Sequence, residues 1–473
     1  MIDINQYSNV SQRALVMQGG ASLGAYEAGV FKAIYDKITK NNDSNPQKDK
    51  HLFDIVAGTS IGAIHGAIIV NYVVQNTRKG KSMYESWLGV DQLIHDFWKD
   101  VSTLTWIELD PTFHFRWNGS RYFYKELAKA EAARRYYSVK ELLTMGAKNM
   151  FTSPSAIQDK KFLDFTNTSY LYSNEPLRRL LENKYLKDFS LKTQPPEPRL
   201  LIVTVDVQEG TTVTFDSYSS KTEYDHKHVI EYHNGITIDH VLASASVPVY
   251  YNFTKIEAKD STRNFWDGII LSNTPLRELI GQHNTFWKEK IEDKGEDIVL
   301  KSIWRNDVNE DQDNNNNDIK VPDIENVYIV NLWPKREEQI PIDHDGQTDR
   351  MNDILYHDKT EYDEKVAIFV SDYIDLAKNI REIALENIDE NKKSKLKNDI
   401  NNFLLNNDAK SKFRKGKKRK YIDLLKGRFT INKITRIDRQ DDESAISNKW
   451  ADFSYKTINQ LISDGYTQAT HQL

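Results

Sequence analysis

A serine held between two glycines, Gly58-Thr59-Ser60-Ile61-Gly62, is the sharpest chemical signal in this 473-residue chain. A nucleophilic hydroxyl must be thrust out of a strained strand-to-helix turn. Glycines two residues to either side, here Gly58 and Gly62, let neighbouring chain pass without a Cβ clash. The helix that opens at Ile61 aims backbone N–H groups and its positive dipole end at the same place. A second loop, Gln18-Gly19-Gly20-Ala21-Ser22-Leu23-Gly24, also lies between strand and helix patterns. Small residues there leave N–H groups uncovered, which suits a developing oxyanion, with tight helix-on-sheet packing as the plain alternative. The loop has no G-K-[ST] of a phosphate-binding turn, and its spacing is GGxxxG, not GxGxxG. A third signal is Trp266-Asp267-Gly268-Ile269, which follows Ser60 by 207 residues. Asp267, at the end of an aromatic strand, can project a carboxylate into a cleft; an ordinary Asp-Gly turn is the competing reading.

The elements that must carry these loops have an α/β rhythm. Ala14–Met17 and Phe53–Ala57 read as buried strands, each followed by a glycine turn and a helix, Ala25–Ile38 and Ile61 to about Val74. The second helix is apolar on nearly every side, as a core helix is. Arg199–Val207 and Thr211–Ser217 read as two strands joined at Glu209-Gly210, and Val327–Trp333 as another strand. Residues 77–198 form an aromatic, charged, mainly helical insertion. Its Trp87, Phe97, Trp98, Trp106, Phe113, Phe115 and Trp117 fit either an acyl channel or membrane face, or simply the insertion's own core. The Asn/Asp-rich stretch 311–318 reads as a solvated loop, and 336–473 as a charged helical C-terminal region following a catalytic domain at 1–335.

Composition removes several classes. With 69 acidic and 64 basic residues the net charge is −5, which argues against a nucleic-acid binder. The absence of cysteine excludes disulfides, thiolate metal sites and a cysteine nucleophile. No His/Asp/Glu spacing suggests a metal, and the chemistry asks for neither metal nor cofactor. The longest apolar stretch, Ile61–Val74, is short for a membrane span, which needs about 20 residues. No secretory signal is visible, so the expectation is a cytoplasmic protein, peripheral at membrane if bound there at all. Lys410–Lys420 holds eight basic residues in eleven and reads as a solvated charged face or a lipid-docking patch. Oligomeric state is not readable.

Together the three loops resemble the patatin-like phospholipase family. QGGASLGAYEAGVFKAI resembles its glycine-rich opening, GTSIGAIHGA its serine elbow, and DGIILSNTPL its aspartate segment, with LASASVPVYYNFTKI leading up to it. The resemblance covers roughly residues 12–76 and 199–335. It implies a three-layer α/β/α sandwich around a central, mostly parallel sheet. It also implies a lipid or phospholipid ester as substrate and a Ser60–Asp267 dyad working without histidine, through an acyl-enzyme. Backbone N–H groups of Gly19, Gly20, Ala21 and Ile61 would bind the oxyanion, and Gly24 and Gly268 complete the motif. The chain departs from the pattern at Ala21, where a third glycine is usual, at Leu23, usually basic, and at Ile269, usually Gly or Ala.

Two rival readings remain at this point. A serine–histidine–aspartate hydrolase would draw on His283, His344 or His357, none of which sits in a recognisable loop motif. A non-catalytic lipid-binding protein retaining the fold would have no need of an intact Ser60, Asp267 and glycine loop. His65, on the apolar elbow helix, reads as a satisfied core histidine, with a pocket-facing ring as the alternative, and Asp54, within the strand before the elbow, as serving a structural hydrogen bond.

Overall fold

A computed structural model describes residues 11–44, 50–110, 131–153, 170–224, 228–257, 262–293, 295–304, 321–338, 340–412, 418–440, 442 and 444–473. The expected loop at 311–318, Phe113, Phe115, Trp117 and part of the basic run lie outside the described residues. The strands that matter are β1 (Gln12–Met17), β2 (Ile55–Thr59), β3 (Arg199–Asp206), β4 (Thr211–Asp216), β5 (Thr254–Glu257), β6 (Thr262–Asp267), β7 (Ile324–Asn331) and β8 (Ile434–Asp438). The main helices are α1 (Gly24–Ser44), α2 (Ile61–Arg78), α3 (Val90–Val101), α4 (Glu131–Met145), α5 (Ile238–Ser244) and α6 (Leu276–Glu292). They continue with α7 (Glu296–Ile303), α8 (His344–Tyr356), α9 (Glu361–Glu386), α10 (Glu390–Asn406) and α11 (Tyr455–Gln472).

The fold is α/β, built on one eight-stranded sheet in the order β8-β7-β1-β2-β3-β6-β5, with β4 on β3. Its centre, β1–β2–β3, is parallel. Parallel strands flanked by helices are covered on both faces and so read as unbroken apolar runs. Hence Ala14–Met17 and Ile55–Thr59 are buried throughout, and all eight residues of β3 are buried. Strand ends fall within a few residues of the sequence expectation, the ordinary uncertainty of boundaries. Where β3 buries charge it pairs it: Arg199 Nε donates to Asp216 Oδ1 at 2.9 Å, and Arg263 Nε to Asp206 Oδ2 at 2.9 Å.

The chain forms two compact units: Arg13–Pro275 with Tyr328–Lys359 and Thr435–Leu473, and a smaller one of Met1–Gln12, Leu276–Val327 and Thr360–Ile434. Residues after 335 are thus divided between them. In the larger unit α11 lies directly on α1, because a Cβ at Gly29 would fall 2.0 Å from the Ile462 carbonyl oxygen and one at Gly465 2.1 Å from that of Tyr26. Glycine at both positions lets the two backbones touch. In the insertion, Trp87, Phe97 and Trp98 are fully buried and belong to this core, whereas Trp106 is 51% exposed. The smaller unit has its own core around Trp287, Ile291, Ile303, Trp304 and Leu404.

Candidate active site

Strand β3 brings the serine and the aspartate together. Thr59 ends β2 opposite Val203, and Asp267 ends β6 opposite Thr204, the next residue of β3. Because β2 runs parallel to β3 and β6 antiparallel, the two strands meet head-on along one edge of it. The residue leaving β2, Ser60, therefore arrives at the residue ending β6.

Ser60 has φ 57° and ψ −122°. A side chain in such a region costs about 1–3 kcal/mol and persists only where its surroundings over-determine it. They do. The Ser60 N–H donates to Ser244 Oγ at 2.9 Å, and the Ser244 hydroxyl donates to the Val203 carbonyl at 2.6 Å. The Thr59 hydroxyl donates to the Ser272 carbonyl at 2.9 Å. The flanking glycines are required by close approach: a Cβ on Gly58 would lie 2.2 Å from the Gly62 oxygen, and one on Gly62 2.4 Å from the Met17 oxygen.

Asp267 is fully buried. Its Oδ1 accepts the Ile269 N–H at 2.9 Å, and its own N–H donates to the Ser246 carbonyl at 2.9 Å. Among the described residues Oδ2 has no partner that meets hydrogen-bond geometry, yet the Ser60 hydroxyl favours the charged form of this carboxyl and pulls its pKa down. Hydrogen bonds of this kind are often long without a substrate and tighten when one fills the site. Burial outweighs both polar neighbours and pushes the carboxyl up to about 7. Tyr251 and Tyr356 stand close enough to feel its charge, and burial raises both phenols. Gly268 is needed because a Cβ there would come within 2.6 Å of the Val203 oxygen.

The glycine loop approaches from β1. A Cβ on Gly19 would lie 3.0 Å from Ser60 Cβ, which makes this the point of contact between loop and serine. Here the structure differs from the sequence expectation. The Gly19 N–H is not open to an oxyanion, because it donates to Asn273 Oδ1 at 2.9 Å. The N–H groups of Gly20, Ala21 and Ile61 have no hydrogen bond among the described residues. Ala21 has φ 48°, a conformation natural to the glycine usual in this position. Alanine there costs roughly 1–2 kcal/mol in local strain, so Ala21→Gly is expected to be tolerated, with a thermal transition equal to or above that of the parent.

Residues without a role in the sequence reading hold this loop. Gln18 Nε2 donates to Thr274 Oγ1 and the Tyr356 carbonyl, each at 3.0 Å, while its Oε1 accepts the Leu332 N–H at 2.6 Å. Trp333 Nε1 donates to the Gly19 carbonyl at 2.7 Å, and the Ser22 hydroxyl to that of Lys449 at 2.9 Å. Gly24 seats α1 on α2, since a Cβ there would fall 2.5 Å from Ile61 Cγ1. Ser244 and Asn273 lie within the segments LASAS and LSNTP, but nothing in their spacing marks the amide or hydroxyl as a brace.

The elements that bring Ser60 and Asp267 together lie within a family match. A family model described as patatin-like phospholipase matches residues 15–280. The chain belongs to the patatin-like phospholipase family. Members of this family are lipid acyl hydrolases. Among solved structures it is similar to VipD from Legionella pneumophila at 10% sequence identity and a TM-score of 0.29, across 98% of this chain and 66% of that one. The chain thus spans just under two thirds of that protein's length, and so distant a likeness decides nothing further. No curated protein matches the chain.

The histidines weighed from the sequence have other partners among the described residues of this patatin-like chain. His65 is buried between Glu27, 3.0 Å from its Nδ1, and Trp98, whose Nε1 donates to its Nε2 at 3.0 Å. With Nε2 accepting, the neutral ring must carry its proton on Nδ1 and donate it to Glu27. Burial lowers His65 to about 3 and raises Glu27, so this is a core hydrogen-bond chain from α1 through α2 to α3. His283 is in the smaller unit with Nε2 on the Pro322 carbonyl, and His357 bonds the carbonyls of its own helix end. His344 opens α8 at the surface. Among the described residues none of the three hydrogen-bonds to Ser60 or Asp267. Asp54 accepts the Arg13 N–H at 2.8 Å, a structural bond as expected. Also among the described residues, no helix is long and apolar enough to cross a membrane. A cavity of about 550 Å³ lined by Asn149, Thr152, Ser173, Arg179 and Lys184 among others includes neither Ser60 nor Asp267.

Proposed function

We propose that this chain hydrolyses carboxylic esters of lipids through a serine acyl-enzyme, with Ser60 as nucleophile and Asp267 as its base. The observation that carries the reading is the convergence of the two on β3, together with an acid whose burial raises it to about 7. An ordinary carboxylate is too weak a base for a hydroxyl, and desolvation is what strengthens it. Ser60 Oγ attacks the acyl carbonyl as Asp267 Oδ2 takes its proton, and the oxyanion forms where Gly20, Ala21 and Ile61 present N–H groups. Each such donor contributes about 3–4 kcal/mol to stabilising the transition state. Collapse expels the alcohol or lysolipid, which receives the proton from Asp267. The same carboxylate then activates water to release the fatty acid.

An active-site-directed fluorophosphonate should label the purified protein, and Ser60→Ala should abolish that labelling. Labelling of the Ala variant at parental levels would remove the proposal.

Ionisation of Asp267 gives a pH dependence of definite sign. The base works only when deprotonated, so kcat/KM should rise with pH and level off above about 7. A flat profile from pH 5 to 8 on a short-chain ester would contradict the assignment.

Asn273 acts on the loop, not on substrate. Asn273→Ala removes the acceptor of the Gly19 N–H and a donor to the Tyr356 carbonyl. Loss of loop register by an ångström costs about 100-fold. The expected result is a fall in kcat of about 10- to 100-fold with KM little changed. A change confined to KM would speak against a positioning role.

A further inference from the structure

The longest helix of the smaller unit, α9, leaves a regular apolar seam uncovered. Val366, Phe369, Tyr373, Leu376, Ile380 and Ile383 follow one another at spacings of 3, 4, 3, 4 and 3, and they are 41–59% exposed. Tyr362, one turn before Val366, extends the row and is 74% exposed. That is a heptad pattern sustained over three repeats, which specifies a partner helix packing knobs into holes. The opposite face of α9 is already occupied. Ile374, Arg381 and Leu385 are buried, and the Arg381 guanidinium lies 4.5 Å from the centre of the Trp304 ring. An ordinary surface helix turns its apolar stripe inward; this one has a second stripe turned out.

We infer that the α9 seam is a dimerisation surface, closed by the same helix of a second copy running antiparallel. Two observations favour this occupant. The first is area: the exposed fractions of the seven side chains amount to on the order of 800 Å² per protomer, one side of a standard stable interface. The second is charge register. When Val366 faces Ile383 of the second copy, Phe369 faces Ile380 and Tyr373 faces Leu376. Lys365 then flanks Glu386 of the second copy, twice by symmetry, and Val370 lies beside Ala377. A parallel pairing sets Lys365, Asp372 and Asn379 against Val370, Ala377 and Ala384, with no ion pair to fix it. A membrane suits the seam less well: α9 carries seven acidic and three basic residues, and anionic lipid would repel it.

Sedimentation of the full chain at tens of micromolar should give a mass of twice 55.0 kDa. Leu376→Asp and Ile380→Asp should each give monomer, with the circular dichroism spectrum of the parent and unchanged Ser60 labelling by fluorophosphonate. Lys365→Glu, an exposed substitution that does not threaten folding, should raise the dimer dissociation constant at least tenfold, and adding Glu386→Lys should restore it. A monomeric parent, a dimer indifferent to these changes, or a double charge swap that fails to restore association would overturn the proposal. So would a monomer that binds phosphatidylcholine–phosphatidylserine vesicles and loses that binding in Leu376→Asp, since the seam would then be a membrane face.

Discussion

Replacing Ser60 with Ala is expected to lower ester turnover by roughly ten-thousandfold or more, and Asp267→Asn by roughly a thousandfold or more, because nucleophile and base act as one unit. Asn keeps the size of Asp267 and an oxygen for the Ile269 N–H, but it cannot take the Ser60 proton. The two variants should differ in stability. Burial raises the Asp267 carboxyl from its ordinary 3.8 to about 7, so the folded state holds that proton more tightly than the unfolded one. A group raised in this way supports folding below about pH 4, and the support is lost as pH climbs through 7. Ionised and buried, the carboxylate costs the fold about 4 kcal/mol. Asp267→Asn should therefore raise the thermal transition at pH 8 and leave it nearly unchanged at pH 4, while Ser60→Ala, which removes a hydroxyl favouring the ionised acid, should not raise it at pH 8. Turnover assays on a short-chain ester and thermal melts at the two pH values check both halves. An Asn variant that retains turnover, or melts earlier than the parent at pH 8, contradicts the assignment.

That opposition of activity and stability marks what could be read from the sequence. The Ser60 elbow was legible because its demands are local: a glycine on either side, a buried strand before it and an apolar helix after. The strands of the sheet centre were legible for a similar reason, since burial on both faces leaves unbroken apolar runs such as Leu200–Val203. Asp267 could be picked out by motif, but its meeting with Ser60 depends on Val203 and Thr204 receiving two strands head-on, which no local pattern encodes. Asn273 shows the limit most clearly. Its amide takes the N–H of Gly19, a residue 254 positions away, and so removes one of the donors that the glycine loop offers on paper. Nothing in the composition of SNTP distinguishes such a brace from a turn. The aromatic insertion was ambiguous for the opposite reason, because Trp and Phe serve a core and a lipid surface equally well. Burial decides it for Trp87, Phe97 and Trp98, and leaves Trp106 at the surface.

Lys449→Met is expected to destabilise the larger unit by about 3–5 kcal/mol, the cost of breaking a buried ion pair by deleting one partner. Lys449 is buried, with Nζ 3.0 Å from Asp349 Oδ2 and 2.7 Å from Asp353 Oδ1, and it lies 5.7 Å from the centre of the Trp333 ring. Two carboxyls share one ammonium. Burial pushes Asp349 up to about 6 and raises Asp353 also, against the pull of Lys449 on both. Without the lysine these acids either stay ionised in an apolar site or take up protons, and above neutrality neither choice is cheap. The loss should therefore be largest at pH 8 and smaller at pH 5, where protonation relieves the unpaired charge. The same position touches the chemistry through its backbone. The Lys449 carbonyl accepts the Ser22 hydroxyl, and Trp333, beneath the ammonium, donates to the Gly19 carbonyl. A shift of this cluster thus moves the glycine loop, which touches Ser60 at Gly19. Urea unfolding of the Met variant at pH 5 and pH 8, with kcat measured under native conditions, tests both effects. Equal stability at both pH values would show that the two aspartates do not depend on Lys449, whereas a stability loss with unchanged kcat would separate the cluster from the loop it supports.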